Sequence, residues 1–184
     1  MIPGFAIGGL AGGESKDLFW KVVDISCRAL PDNKPRYLMG VGYPLDLVVC
    51  TALGVDFYDC VYPTRTARFG VALVPTGILK VKAHECQDDQ NVIMENCLCQ
   101  ACHRLGVSRA RIHHLPKTGN TLAVQLLTQH NIAYMMSLVR EIRRAIMDNE
   151  FPMYVRHFLK VHFGDESVPA WVSDALHAAG IDLN

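Results

Sequence analysis

Arg36-Tyr37-Leu38-Met39-Gly40-Val41-Gly42-Tyr43-Pro44 decides how this chain folds. Residues 36–39 are strand-like, and glycines at 40 and 42 break the run. Pro44 then stands where a helix begins, because its fixed φ and missing N–H cost nothing in a first turn. The same order recurs on either side. Upstream, Phe5-Ala6-Ile7-Gly8 reads as a short buried strand running into Gly8-Gly9-Leu10-Ala11-Gly12-Gly13. Ser15 reads as the N-cap of a helix in which Phe19, Val22, Val23 and Ser26 recur at helical spacing up to Leu30. Pro31-Asp32-Asn33 breaks that helix. Downstream, the helix from Pro44 is expected through Leu53, with Gly54 as its C-terminal cap, and Val55-Asp56-Phe57-Tyr58 is a third strand. Strands alternating with helical crossovers are the pattern of parallel βα units, so an α/β fold is expected. No Gly-x-Gly-x-x-Gly opens the first crossover and no Walker lysine follows a strand, which excludes the common dinucleotide and P-loop signatures.

The pattern changes after Thr66. Phe69 to Val74 and Ile78 to Val81 flank a Pro75-Thr76-Gly77 turn and predict an antiparallel hairpin. A polar stretch from His84 to Glu95 leads into clustered cysteines. Two helices are expected over Thr121–His130 and Ile132–Met147, parted by Asn131 as a cap, with Tyr134, Leu138, Ile142 and Ala145 on one face of the second. Further helices are expected over Phe151–Phe163 and around Trp171–Ala178.

The chain has 184 residues, half of them apolar, which is enough for a sizeable core. Eighteen basic residues balance eighteen acidic ones, so nucleic-acid contact would need a local basic patch rather than a whole-molecule field. No apolar stretch reaches the ~20 residues of a membrane span. The first residues lack the basic start of a signal peptide.

Seven cysteines make an odd set, and Cys97, Cys99 and Cys102 stand at metal spacing, which argues for a reducing compartment. Residues two apart in an extended chain face one side, so Cys97 and Cys99 can share an ion, and a turn can bring in Cys102. Three idle buried cysteines are the plainer alternative. For a fourth ligand His84, Cys86, His103, His113, His114 and His130 compete on composition. Asp56 and Asp59 lie at the end of the third strand, where α/β enzymes place their chemistry. Alternation puts them on opposite faces, and the ordinary role of either is to cap nearby N–H groups. Thr64-Arg65-Thr66-Ala67-Arg68 offers two arginines in a turn, a weak sign of phosphate contact.

Taken in order, Gly8-Gly9-Leu10-Ala11-Gly12-Gly13-Glu14, Tyr37-Leu38-Met39-Gly40-Val41-Gly42, Phe57-Tyr58-Asp59-Cys60-Val61-Tyr62-Pro63-Thr64-Arg65, the Cys-x-Cys-x-x-Cys array, His113-His114-Leu115 and Leu127-Thr128-Gln129-His130-Asn131-Ile132-Ala133-Tyr134 resemble the C-terminal half of a tRNA-guanine transglycosylase. The wording at Gly12–Lys16 and Arg65–Gly70 is similar to the eukaryotic catalytic subunit more than to bacterial members. The resemblance implies the C-terminal part of a (β/α)8 TIM barrel with an inserted zinc-binding subdomain: last βα units at 1–65, the subdomain at 66–135 and closing helices at 136–184. It implies exchange of guanine for queuine at the wobble position of tRNA anticodons, with Asp59 as the covalent nucleophile. Gly9, Leu10, Ala11, Met39 and Gly40 would line the base pocket, and Gly12 would make room for queuine's cyclopentenediol. Gly40, Val41, Gly42, Tyr43, Pro44, Leu45 and Asp46, with Thr64, Arg65, Thr66, Ala67 and Arg68, would grip the anticodon loop. His130 would complete a structural Zn2+ site with Cys97, Cys99 and Cys102. Partners implied are tRNA, queuine, guanine and a homologous non-catalytic subunit forming a heterodimer. The implied location is the cytoplasm, with association at the mitochondrial outer membrane. A full barrel takes ~250 residues, so the chain is expected to be a fragment that is inactive alone and needs another chain to complete it. A non-catalytic scaffold or a zinc-containing RNA-binding module are the competing readings; the intact Asp59 motif argues against the first and the βα units against the second.

Overall fold

β1 (Phe5–Ile7), β2 (Arg36–Leu38) and β3 (Phe57–Tyr58) form a parallel sheet in the order β1-β2-β3, in a computed structural model that describes residues 2–10, 12–115 and 121–183. Phe5 pairs with Arg36 and Ile7 with Leu38; Tyr37 pairs with Phe57 and Leu38 with Tyr58. The crossovers are α1 (Lys16–Ala29) and α2 (Pro44–Ala52), as the sequence predicts. Ser15 Oγ accepts the Leu18 N–H at 3.3 Å, which satisfies one of the free donors of the first turn of α1. Gly54 ends α2 at φ +102°, a left-handed conformation where a side chain would be strained.

Two compact units divide the chain, residues 1–61 with 145–184, and residues 62–144. In the first, α1 and α2 pack against α7 (Ala170–Ala178), which follows α6 (Phe151–Phe163) in the chain. Val23, Leu38, Val48, Val49, Val155, Val172 and Leu176 are fully buried here. The turn into β2 is tied by Arg36, whose guanidinium donates to Leu30 O (2.9 Å), Asp32 Oδ1 (2.6 Å) and Gly54 O (3.3 Å). Asp56 Oδ2 accepts the Arg36 N–H at 2.7 Å, so this carboxylate is a backbone cap.

The second unit begins with α3 (Tyr62–Arg68) and the antiparallel hairpin β4 (Val71–Val74) and β5 (Gly77–Lys80), followed by α4 (Arg109–His114) and α5 (Leu122–Met147). Ala67, Ala72, Val81, Ile93, Ile112, Ala123 and Leu127 form its core. Two expectations change. The Thr64–Arg68 turn is a helix: Pro63 sits in its first turn, where proline is tolerated, and the Thr66 hydroxyl bonds Tyr62 O at 2.7 Å. The two helices expected around Asn131 are one helix of 26 residues. Asn131 does not cap it. Its side chain is buried and turned onto other elements: Oδ1 accepts the Leu73 N–H at 2.9 Å, and Nδ2 donates to Pro63 O and Val71 O, each at 3.0 Å. An asparagine that would compete with helix hydrogen bonds is harmless when β4 and α3 take up its amide.

Candidate functional site

Asp59 directly follows β3. Strand alternation sets Phe57 and Asp59 on one face and Tyr58 on the other. Tyr58 goes inward, its hydroxyl 2.9 Å from Thr51 Oγ1, and burial pushes its phenol well up. Asp59 stays exposed and lines an open cleft of about 440 Å³ with Gly9, Gly12, Tyr37, Met39 and Gly40. One carboxylate oxygen, Oδ1, accepts two hydrogen bonds: from the Tyr37 hydroxyl and from the Gly40 N–H at 3.1 Å. Gly40 can aim that N–H because it turns at φ +74°, which disfavours any other residue. The Tyr37 bond first, then the Gly40 bond, hold the Asp59 carboxyl below its ordinary pKa, and the same bond raises the Tyr37 phenol. The Tyr37 ring is in turn stacked on Phe57, with centroids 4.9 Å apart and planes 8° from parallel. The cross-strand pairing of Tyr37 with Phe57 makes that stack possible. The result is an ionised carboxylate at the cleft with one oxygen, Oδ1, anchored by two donors. It can act as a nucleophile, or stabilise positive charge developing beside it.

The other cleft residues fall as follows. Met39 is 46% exposed and offers its thioether to the cleft wall. Gly9 and Gly12 contribute backbone and no side chain. Leu10 buries its side chain, and Ala11 lies outside the described residues. In the stretch after Gly40, Tyr43 is exposed and Leu45 half-buried, whereas Val41, Gly42, Pro44 and Asp46 are buried. Asp46 faces Lys16, whose Nζ lies 2.6 Å from both carboxylate oxygens. In the second unit Arg65 and Arg68 are exposed, Thr64 and Thr66 half-buried, and Ala67 buried. In the sequence alone Tyr37 and Phe57 read as ordinary strand residues. Their shared parity with Asp59, once register is known, is the signal that could have found them.

The cysteines converge. Cys97, Cys99, Cys102 and His130 are all buried, and their donor atoms lie within 4.8 Å of one another. His130 Nε2 donates to Leu73 O at 2.9 Å, which leaves Nδ1 as the acceptor facing the sulfurs. Its distances to Sγ are 3.6 Å for Cys97, 3.6 Å for Cys99 and 3.4 Å for Cys102. A tetrahedral ion with metal–sulfur bonds of ≈ 2.3 Å and a metal–nitrogen bond of ≈ 2.0–2.1 Å separates S from N by about 3.6 Å, so the cage fits a metal ion. Cys99 has an extended backbone and receives the Cys102 N–H at 3.3 Å, while Leu98 between the ligands is 84% exposed on the other side. A hydrogen bond from the Cys102 thiol holds the Cys99 thiol down to about 3; Cys102, as donor to Cys99, is pushed up, and burial raises Cys97. The remaining candidates stand elsewhere: His84, His103 and His114 are exposed, His113 is 3.0 Å from Val81 O, and Cys86 Sγ meets Lys80 O at 3.7 Å.

Residues 1–164 match the family model described as Queuine tRNA-ribosyltransferase. This chain belongs to that family. It is 45% identical over 188 residues to a queuine tRNA-ribosyltransferase catalytic subunit of Schizosaccharomyces pombe, covering 98% of this chain and 46% of that protein. It is 46% identical over 179 residues to a queuine tRNA-ribosyltransferase of Thermus thermophilus, covering 97% of this chain and 46% of that protein. With the catalytic subunit of Caenorhabditis elegans the identity is 41% over 196 residues, covering 98% and 48%. The chain therefore spans about half the length of the relatives it matches. Membership of the queuine tRNA-ribosyltransferase family accords with the mixed α/β architecture. Among the described residues no helix is long and apolar enough to cross a membrane.

Proposed function

We propose that this chain carries the nucleophile of a queuine tRNA-ribosyltransferase, which exchanges guanine for queuine at the anticodon wobble position of tRNA. The observation that carries this reading is the Asp59 carboxylate, kept ionised by Tyr37 and Gly40 and open to a cleft walled by glycines and Met39. An ionised carboxylate at that spot can attack the ribose anomeric carbon and hold the sugar while bases exchange. The oxocarbenium-like transition state is stabilised by the same negative charge. The wobble nucleotide must leave its stack to reach the cleft. Met39 would support the heterocycle, and Gly9 and Leu10 would present backbone groups to its edge. Gly12, which carries no side chain and lines the cleft, would suit queuine's larger substituent. The exposed Gly40 and Tyr43, and the exposed Arg65 and Arg68, are the residues best suited to contact the anticodon loop.

The sheet β1–β3 is read as the last βα units of a (β/α)8 barrel, and residues 66–135 as its zinc-binding subdomain. Cys97, Cys99, Cys102 and His130 would hold one Zn2+; four protein ligands close the coordination shell, so the ion would brace the fold and not enter the chemistry. A homologous non-catalytic subunit as partner and a cytoplasmic location complete the proposal. The test uses a polypeptide of full family length that carries this sequence. Replacing Asp59 with Ala should reduce exchange of labelled guanine by on the order of a thousandfold or more, with metal content unchanged. Exchange near the wild-type rate would remove Asp59 as the nucleophile.

A further inference from the structure

Resting on that reading, we propose that Tyr37 is a positioning residue that selects which oxygen of Asp59 attacks, and that it makes the Asp59–ribose bond easier to break. The two carboxylate oxygens of Asp59 are unequal. Oδ1 accepts both the Tyr37 hydroxyl and the Gly40 N–H, so its lone pairs are engaged away from any incoming sugar. Asp59 lines the cleft, and with Oδ1 held by both donors the other oxygen, Oδ2, is the one left to meet a sugar there. Oδ2 is therefore the attacking atom. Its lone pair forms the C1′–O bond as the C1′–N bond breaks; the bonding pair leaves on the base nitrogen, which takes a proton from water. In the adduct Oδ1 is the carbonyl oxygen of an acylal-type ester and still faces both donors. In the second half-reaction the incoming base nitrogen attacks C1′ and gives its proton to solvent. The C1′–O pair returns to the carboxylate, and negative charge develops again across Oδ1 and Oδ2.

Both donors then stabilise the departing carboxylate more than they stabilise the neutral ester. A hydrogen bond to a charged acceptor exceeds one to a neutral carbonyl. Tyr37 thus trades nucleophile basicity for leaving-group quality. The trade suits an enzyme whose covalent intermediate must open again each cycle. Phe57 keeps the phenol aimed: the parallel stack at 4.9 Å fixes the ring plane, so the hydroxyl cannot swing away from Oδ1. The lowered carboxyl of Asp59 and the raised phenol of Tyr37 agree with this division of labour.

Tyr37→Phe, in a polypeptide of full family length, removes the hydroxyl and keeps the ring and its stack. The steady-state fraction of Asp59-linked RNA, trapped by denaturation during turnover, should rise several-fold. Release of sugar from preformed adduct to added base should slow by on the order of ten- to a hundredfold. The acidic limb of kcat/KM should move to higher pH, because the carboxylate loses the donor that kept it ionised. Both changes together support the proposal. An unchanged or smaller adduct fraction, or an acidic limb that stays in place, overturns it. If the Phe variant fails to fold, 3-fluorotyrosine at position 37, a stronger donor, should move both readouts the opposite way, and their failure to move overturns the proposal equally. These outcomes are distinct from failure of the functional reading itself, in which wild-type protein would form no adduct on Asp59.

Discussion

Asn131 shows how much one side chain can hold. It sits next to His130 of the candidate metal cage on α5, and the two divide the work on β4: Asn131 accepts the Leu73 N–H while His130 donates to Leu73 O. Asn131 also serves Val71 O and Pro63 O, so it ties α3, β4 and α5 through buried polar groups. Asn131→Leu keeps the volume and leaves a buried N–H and two carbonyls without their partner. Each net loss is of order 1 kcal/mol and an orphaned buried group costs more, so the variant should lose about 2–4 kcal/mol. Urea unfolding followed by circular dichroism measures this. Metal content should remain at the wild-type value, because His130 keeps its place in α5. His130→Ala should give the reverse signature, with bound metal lost. A stable Asn131→Leu protein would mean that water satisfies these groups.

At the scale of elements, Lys16 is the clasp between α1 and α2. Its Nζ meets both oxygens of the buried Asp46 and lies 4.9 Å over the Phe19 ring, 5.4 Å over Tyr43 and 5.3 Å over Trp171. Burial raises the Asp46 pKa above its ordinary 3.8, and this outweighs the opposing pull of Lys16. A carboxyl whose folded pKa is raised binds its proton more tightly in the native state. Its contribution to stability is therefore greatest at low pH and declines as pH rises from 3.8 through the folded value. Breaking a buried ion pair typically costs 3–5 kcal/mol. Lys16 is 43% exposed and water screens part of the loss, so Lys16→Met should cost about 1–3 kcal/mol at neutral pH. That penalty should shrink on acidification, as Asp46 takes up a proton and no longer needs a counter-charge. A penalty that is flat with pH, measured by denaturant midpoints, would show that the aromatic contacts and not the ion pair hold Lys16. These elements were legible because local grammar sets them: Ser15 caps α1, Pro44 opens α2 and Gly54 closes it. What was not legible is what distant partners decide. Asn131 reads as a cap until β4 is known to consume its amide, and Thr64–Arg68 is too short a stretch to show a helical period. The same holds at the cleft. Asp59 announces itself at a strand end, whereas Tyr37 joins it only through the β2–β3 register.

For the whole molecule, the two units carry separate cores, and the candidate metal cage belongs to the second of them alone. That cage joins residues 97–102 to α5, and through His130 Nε2 it reaches the backbone of β4. A bound divalent ion would take the three cysteines as thiolates, so that binding releases their protons and leaves the site one net negative charge. Metal-binding free energy at such a site is folding free energy. Stripping the ion with a chelator should therefore loosen residues 62–144 before residues 1–61 and 145–184. Hydrogen exchange read by mass spectrometry should show amides of β4, of the Cys97–Cys102 segment and of α5 near His130 losing protection first. Protection at Ile7, Leu38 and the interior of α2 should persist, because these buried residues belong to the first unit and the cage to the second. Added Zn2+ should restore the lost protection with release of protons, seen as a drop in pH of a weakly buffered sample. Equal and simultaneous loss across both units would mean that the ion supports the chain globally, and the reading of a local brace would fall.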